Sequence, residues 1–223
     1  MGSVSLYSPA TIALNMIEPN LNSIGVILAG GQSRRFGGGD KFFKELDGKL
    51  LINHVVERVR PQVGRFIINS NSDASSFFRF GVPVVADSIE GYAGPLAGIL
   101  IGMEWVRENA PDCDWIVSFP SDAPFIPLDC VERMHACAET EEAEIVCAAS
   151  GGRTHPVCAL WRVDLVDDLR KAMTDEKMRK IDLWTARRRL AVFEFSDQPY
   201  DPFFNINRPE DLALAEQISQ NLS

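Results

Sequence analysis

Short runs of β-branched and other apolar residues alternate along this chain with longer stretches whose apolar positions recur at helical spacing. The segment SIGVILA, Ser23 to Ala29, is apolar almost throughout and stops at two glycines, as a strand buried on both faces does. Leu51, Ile52, Val55, Val56 and Val59 then recur at i, i+1, i+4, i+5 and i+8, which predicts an amphipathic helix closed by Pro61 and Gly64. RFIIN (Arg65 to Asn69), VPVVA (Val82 to Ala86) and WIVSF (Trp115 to Phe119) read as further strands. Leu96 to Arg107 and Leu128 to Glu142 read as helices. EIVCAA (Glu144 to Ala149) and PVCALW (Pro156 to Trp161) are expected as strands flanking the turn SGGRT. Val163 to Met173 and Lys177 to Leu190 are expected as helices, AVFEF (Ala191 to Phe195) as a strand, and Arg208 to Ser219 as a closing helix that begins at Pro209. Helices between short apolar strands give an α/β domain with a mostly parallel central sheet and helices on both faces.

The first 22 residues keep no period, and Pro9, Pro19 and several Asn make a mobile leader the expectation, with residues 23–223 forming a single domain. Neither a repeat nor a linker divides the rest. With 46% hydrophobic and 24% charged residues the composition is that of a folded globular chain. The formal charge of −9 argues against nucleic acid as a partner, because such binding draws on Lys and Arg. No apolar run nears the ~20 residues of a membrane span. Five cysteines, odd in number and without a CxxC pair, fit a reducing compartment, and a cytoplasmic location follows as an expectation. His54, His135 and His155 lack the i, i+4 spacing of a zinc site.

Ligands of open parallel sheets bind beyond the carboxyl ends of the strands, so the segments that follow strands carry the most information. After the first strand comes AGGQSRRFGGGDK, Ala29 to Lys41, with five glycines and three cations. Gly30 and Gly31 permit close backbone approach, and Arg34, Arg35 and Lys41 against Asp40 leave a local +2 in an acidic chain, suited to polyphosphate. The loop has neither GxxxxGK[ST] nor GxGxxG, which excludes a P-loop and the usual dinucleotide fingerprint. PSDAPF places Asp122 at a strand end, where a carboxylate can hold Mg²⁺ with substrate phosphates or, alone, simply start a turn. In ADSIEGYAGPLAGI, Asp87 ends a strand, and Gly91, Gly94 and Gly98 are expected to let backbone approach a flat ligand. In FFNINRPEDL, Asn205 and Asn207 are expected on one side of an extended piece, although Asn207 could equally cap the next helix. His155 could contact an anionic substrate or cap a strand. Arg187, Arg188 and Arg189 suggest a solvated helix face, with Lys177, Arg179 and Lys180 able to extend a positive rim.

These five motifs, GVILAGGQSRRFGGGDK, ADSIEGYAGPLAGI, FPSDAPF, HPV and NINRPEDL, in this order, resemble the molybdenum cofactor guanylyltransferases, the MobA-type nucleotidyltransferases, over Ile24 to Gln217. The resemblance implies a Rossmann-like three-layer domain that transfers GMP from GTP to molybdopterin carrying its metal, with release of pyrophosphate and with Mg²⁺ as cofactor. It implies GTP contacts from Leu28, Ala29, Gly30, Gly31, Lys41, Asn69, Asp87 and Asp122, with Asp122 also the metal ligand. Arg35 joins Lys41 and Asp122 in catalysis, Gly38 and Gly94 shape the loops, and His155, Asn205 and Asn207 face molybdopterin. Metal-insertion and cofactor-delivery proteins are the implied protein partners. Phe36 stands where Met is usual in the family and Arg208 where Thr is frequent, and neither change removes a reactive group. The alternatives are a molybdopterin cytidylyltransferase, a sugar-phosphate nucleotidyltransferase, and a non-catalytic nucleotide-binding protein. Against the first two, LAGG with Gly-Asp-Lys replaces the LAAG and Pro-Lys of pyrimidine-using relatives, and a sensor would be expected to lose Asp122 or Lys41.

Overall fold

A computed structural model describes residues 19–30, 44–91 and 94–222. In chain order the elements are β1 (Asn20–Leu28), β2 (Glu45–Leu46), β3 (Lys49–Leu50), α1 (Leu51–Val59), β4 (Val63–Asn69) and β5 (Val84–Val85). They continue with α2 (Pro95–Asn109), β6 (Trp115–Pro120), α3 (Cys130–Thr140), β7 (Ile145–Ser150), β8 (Arg153–Arg162), α4 (Val166–Thr174), α5 (Ile181–Thr185), β9 (Leu190–Phe195) and α6 (Pro209–Gln220). Seven strands form one sheet in the order β5-β4-β1-β6-β8-β7-β9, and β2 and β3 form a separate hairpin. All pairs in the large sheet are parallel except those of β8, which runs antiparallel to both neighbours. It is reversed because a two-residue turn, Gly151-Gly152, joins it to β7. Both glycines have positive φ, as turns matched to strand twist require.

Helices cover both faces, as the pattern of elements predicts. On one face Val55, Val56 and Val59 of α1 and Val131 and Met134 of α3 pack with Ile27, Ile68, Val117 and Val146. On the other, Leu96, Ile99, Leu100 and Met103 of α2 and Leu169 and Met173 of α4 pack with Ile24, Val26, Ile67 and Ile116. Burying a side chain of this size removes about 1.5–3 kcal/mol of unfavourable hydration, and these two layers supply the cohesion of the domain. Gln62 is buried, and its amide joins three segments. Nε2 donates to the carbonyls of Arg58 (2.7 Å) and Pro127 (2.9 Å), and Oε1 accepts from Val131 N (3.0 Å), a remote cap for the first turn of α3. All five cysteines are thiols, and burial pushes Cys147 up to about 11, so these residues act as packing groups.

Several elements differ from the sequence expectation. β1 begins at Asn20, three residues early, because Asn20 pairs with Val63. The β2–β3 hairpin is unforeseen, yet its signal stands in the sequence: Asp47-Gly48 takes positive φ at both residues, as an Asp-Gly hairpin turn does. The helix expected over Lys177 to Leu190 shrinks to the five residues of α5. Lys177 has φ +57°, outside the helical region, and the Arg179 guanidinium donates to the carbonyls of Met173 (2.9 Å) and Met178 (2.7 Å) in place of a helical turn. Arg187, Arg188 and Arg189 consequently do not form a solvated helix face. They pair with Glu176, Asp168 and Glu144.

Candidate active site

The register of the parallel strands sets out the site. Leu28 of β1 stands opposite both Asn69 of β4 and Pro120 of β6, and Asn69 stands opposite Val85 of β5. The last residues of four strands therefore lie in one transverse row, with neighbours about 4.8 Å apart. Along it, Asp87 follows β5, Asn69 ends β4, Ala29 and Gly30 leave β1, and Asp122 follows β6. Parallel ladders continue past the strand ends, as Ala29 N donates to Asn69 O (2.9 Å) and Ser121 N to Leu28 O (3.3 Å).

At the β4–β5 end of the row, Asn69 is buried and its Nδ2 donates to Asp87 Oδ1 (2.9 Å) and to Val85 O (3.2 Å). Asn71 makes a reciprocal pair with Asp87: its Nδ2 donates to Oδ2 (2.8 Å) and its Oδ1 accepts from Asp87 N (2.9 Å). Sequence reasoning missed Asn71. The same i, i+2 spacing of amides that drew attention to Asn205 and Asn207 is present in Asn69-Ser70-Asn71.

Gly94 caps α2 with φ +73°, in the region that favours glycine, and Pro95 opens the helix. Gly98 plays a different part from the expected backbone approach to a ligand. It lies inside the first turns of α2, where a Cβ would stand 2.4 Å from Asn69 Oδ1 and 2.6 Å from Leu28 Cδ2. Only a glycine lets the helix rest directly on the ends of β1 and β4.

Beyond Asp122, on the β7–β8 side, the chain returns as the segment Asp201 to Asn207. Ile206 N donates to the backbone carbonyl of Asp122 (3.0 Å), fastening this segment to the row. Phe203 N donates to Asp201 Oδ1 (2.9 Å), which also accepts from the Ser150 hydroxyl (2.6 Å). With that proton committed to Asp201, Ser150 Oγ accepts from His155 Nε2–H (2.8 Å), which assigns the tautomer of the neutral ring. The imidazole packs against Phe203 with ring centroids 5.0 Å apart.

The segment is not a strand, so Asn205 and Asn207 do not form the expected one-sided row. Asn205 Oδ1 is enclosed with no hydrogen-bond partner, whereas Asn207 is exposed and its amide turns back to Asn205 O (3.3 Å). The N-cap position of α6 is Arg208, one residue beyond Asn207. The Asp211 carboxylate reaches back as the N3 member of a capping box, accepting from Asn207 N (2.7 Å) and Arg208 N (2.8 Å).

Burial holds the His155 pKa below its ordinary value, Arg153 adds to that shift, and Asp201 and Glu194 oppose it. The unfolded chain therefore binds a proton that the folded chain resists. The stability contributed by the neutral ring is full above the unfolded value near 6.5 and is lost as pH falls below it. Urea midpoints of the wild type should fall between pH 7.5 and 5, and less steeply for His155→Asn. The slope is not expected to vanish in the variant, because burial lowers His135 in the same way. Equal slopes for the two proteins would contradict this.

Gly31, Arg35, Gly38 and Lys41 lie outside the described residues, as does Arg34. Among the described residues no three His, Cys, Asp or Glu side chains converge on a metal position, and no helix is long and apolar enough to cross a membrane.

A mixed but mostly parallel sheet covered on both faces, with Asp, Asn, Gly and Asp gathered along the carboxyl ends of adjacent strands, has the architecture and the polar strand-end row of a ligand-binding α/β domain. Comparison with known proteins makes the class specific: residues 25–189 match the MobA-like NTP transferase domain, and the chain belongs to that family. It is 47% identical over 194 residues to the molybdenum cofactor guanylyltransferase of Rhodopseudomonas palustris, covering 87% of this chain and 92% of that one. With the protein of the same name from Mesorhizobium japonicum it shares 43% identity over 202 residues, 89% and 97% of the two chains. Among solved structures, molybdopterin-guanine dinucleotide biosynthesis protein A of Archaeoglobus fulgidus superposes with a TM-score of 0.71 at 24% identity, over 89% of this chain and 99% of that one. A CMP:2-keto-3-deoxy-manno-octonic acid synthetase complexed with CTP superposes with a TM-score of 0.67 at 15% identity, covering 90% and 99%. Both likenesses concern the fold.

Proposed function

We propose that this protein transfers GMP from GTP to molybdopterin carrying its metal and releases pyrophosphate. One observation carries the reading beyond the family: two acidic residues with different surroundings stand at opposite ends of a single strand-end row. Asp87, gripped by two amides, suits the neutral donor groups of a nucleoside, whose N–H and O–H can fill its remaining acceptor positions. Asp122, half-buried at the end of β6, suits the phosphates. Gly30 stands between them, and the glycine-rich, cationic sequence that follows it supplies backbone amides and cations suited to phosphates.

A hard oxygen donor such as Asp122, at a strand end on the side assigned to the phosphates, fits Mg²⁺ better than a metal that requires a full protein cage. Mg²⁺ commonly takes one or two carboxylates and completes its shell with phosphates and water. When bound there it would neutralise charge on the phosphate oxygens. The protein's own part is alignment. The acceptor comes from the β7–β8 side, where the enclosed Asn205 Oδ1 offers an unmatched acceptor, Asn207 stands two residues on, and His155 packs on Phe203 of the same segment. Its terminal phosphate oxygen forms a bond to the α-phosphorus of GTP as the bond from that phosphorus to the bridging oxygen breaks, and the electron pair leaves with pyrophosphate. The attacking oxygen is already anionic, so no side chain has to remove a proton. Lys41 and Arg35 are assigned to charge developing on pyrophosphate, with Gly31 and Gly38 shaping the loop and Gly94 the turn before α2.

This chemistry belongs in the cytoplasm, where GTP and Mg²⁺ are at hand, and metal-insertion and cofactor-delivery proteins are the natural protein partners. The test is pyrophosphate release with Mg²⁺ and metal-loaded molybdopterin, comparing GTP, CTP and ATP. Release is expected with GTP alone. Preference for CTP would replace the guanylyl assignment with cytidylyl transfer, and no release with any of the three would refute catalysis.

A further inference from the structure

The turn that carries Asp87 follows a strand of only two residues and has no regular structure of its own through Gly91. Such a segment keeps one conformation only if side chains hold it. Asn69 and Asn71 hold it from the β4 side through the contacts described above. From the opposite side, Ser88 Oγ accepts from Arg170 Nη2 at 2.9 Å. Arg170 projects from α4, 82 residues away in sequence, and its Nε donates to Glu104 Oε1 at 2.7 Å. Glu104 is a buried carboxylate on α2, 7% exposed, and a buried carboxylate requires a paired, hydrogen-bonded cation. Nε and Nη2 both lie on Glu104 Oε1, which fixes the direction of the planar guanidinium, and Nη2 also donates to Ser88. A lysine, with a single ammonium on a flexible stem, lacks the second contact from Nε and the planar fork that holds this direction.

We infer that Arg170 and Ser88 are positioning residues for nucleoside recognition. The chain Glu104–Arg170–Ser88 presses the Asp87–Ser88 turn against Asn69 and Asn71, so that the acceptor positions of Asp87 left over from those amides keep one direction toward the nucleotide. The inference rests on the reading of Asp87 as the carboxylate that holds the nucleoside. Binding energy is lost when such a group must be ordered at each encounter, and that loss falls on ground state and transition state alike.

Michaelis constants for GTP, turnover numbers and melting temperatures of Ser88→Ala, Arg170→Lys, Asp87→Ala and the double variant Asp87→Ala/Ser88→Ala provide the test. Ser88→Ala and Arg170→Lys should each raise KM for GTP about tenfold with little change in kcat, the size expected for loss of one charge-assisted hydrogen bond. Ser88→Ala leaves the Glu104–Arg170 pair intact, so its melting temperature should equal that of the wild type even if Arg170→Lys loosens the fold. In the Asp87→Ala background, Ser88→Ala should raise KM no further, because the two act in series. Wild-type KM in both Ser88→Ala and Arg170→Lys, or an undiminished effect of Ser88→Ala without Asp87, would overturn the inference while leaving the nucleotide site in place. Wild-type KM in Asp87→Ala would overturn the reading of the nucleotide site itself, and the inference with it.

Discussion

Replacing Asp122 with alanine should reduce GMP transfer by about a thousandfold or more while the protein keeps its fold. The expected magnitude is that of removing a preorganised group from charge that moves in the transition state. The contact that fastens the Asp201 to Asn207 segment to the row is made by the backbone carbonyl of residue 122, which alanine retains. Circular dichroism should match the wild type, and kcat/KM for GTP should collapse. If Asp122→Asn, which keeps shape and loses charge, retained near-normal turnover, the assignment of this carboxylate to metal and phosphate would be wrong.

The second large effect is expected from Gly98→Ala, a change of one methyl group. A Cβ there would stand well inside contact distance of both Asn69 Oδ1 and Leu28 Cδ2, so α2 must move away from the strand ends or Asn69 must turn. Overpacking of this kind costs about 1–3 kcal/mol. Turning Asn69 also breaks its hold on Asp87, so KM for GTP should rise together with the loss of stability. A urea midpoint and a KM both equal to the wild type would show that the helix does not rest on the nucleotide residues as described.

The β1, β4 and β6 strands were legible because each is a short apolar run buried on both faces, and the positions at their carboxyl ends followed directly. Asp87 and Asp122 stood out by their places after strands, Asn69 was implied only by the family resemblance, and the register brings the three into one row. What escaped the sequence depended on contacts between distant residues. The Lys177 to Leu190 stretch has Ile181 and Trp184 at helical spacing, and nothing local announced that Arg179 would spend its guanidinium on the end of α4. Gly98 looked like a ligand-facing glycine because it follows two others, but its role is set by the Asn69 side chain, 29 positions earlier. Glu104 sat on a helix face that periodicity marks as apolar, and its partner Arg170 lies 66 residues further on. The Asp47-Gly48 turn and the Asn69-Ser70-Asn71 pair, by contrast, carried readable local signals.

The most direct test of guanylyl transfer is to follow label from GTP carrying ³²P at the α or the γ position, with metal-loaded molybdopterin and Mg²⁺. The α-label should pass to the molybdopterin product and the γ-label appear in pyrophosphate, with both signals absent in Asp122→Ala. Label from the γ position on the acceptor, or release of inorganic phosphate in place of pyrophosphate, would contradict it.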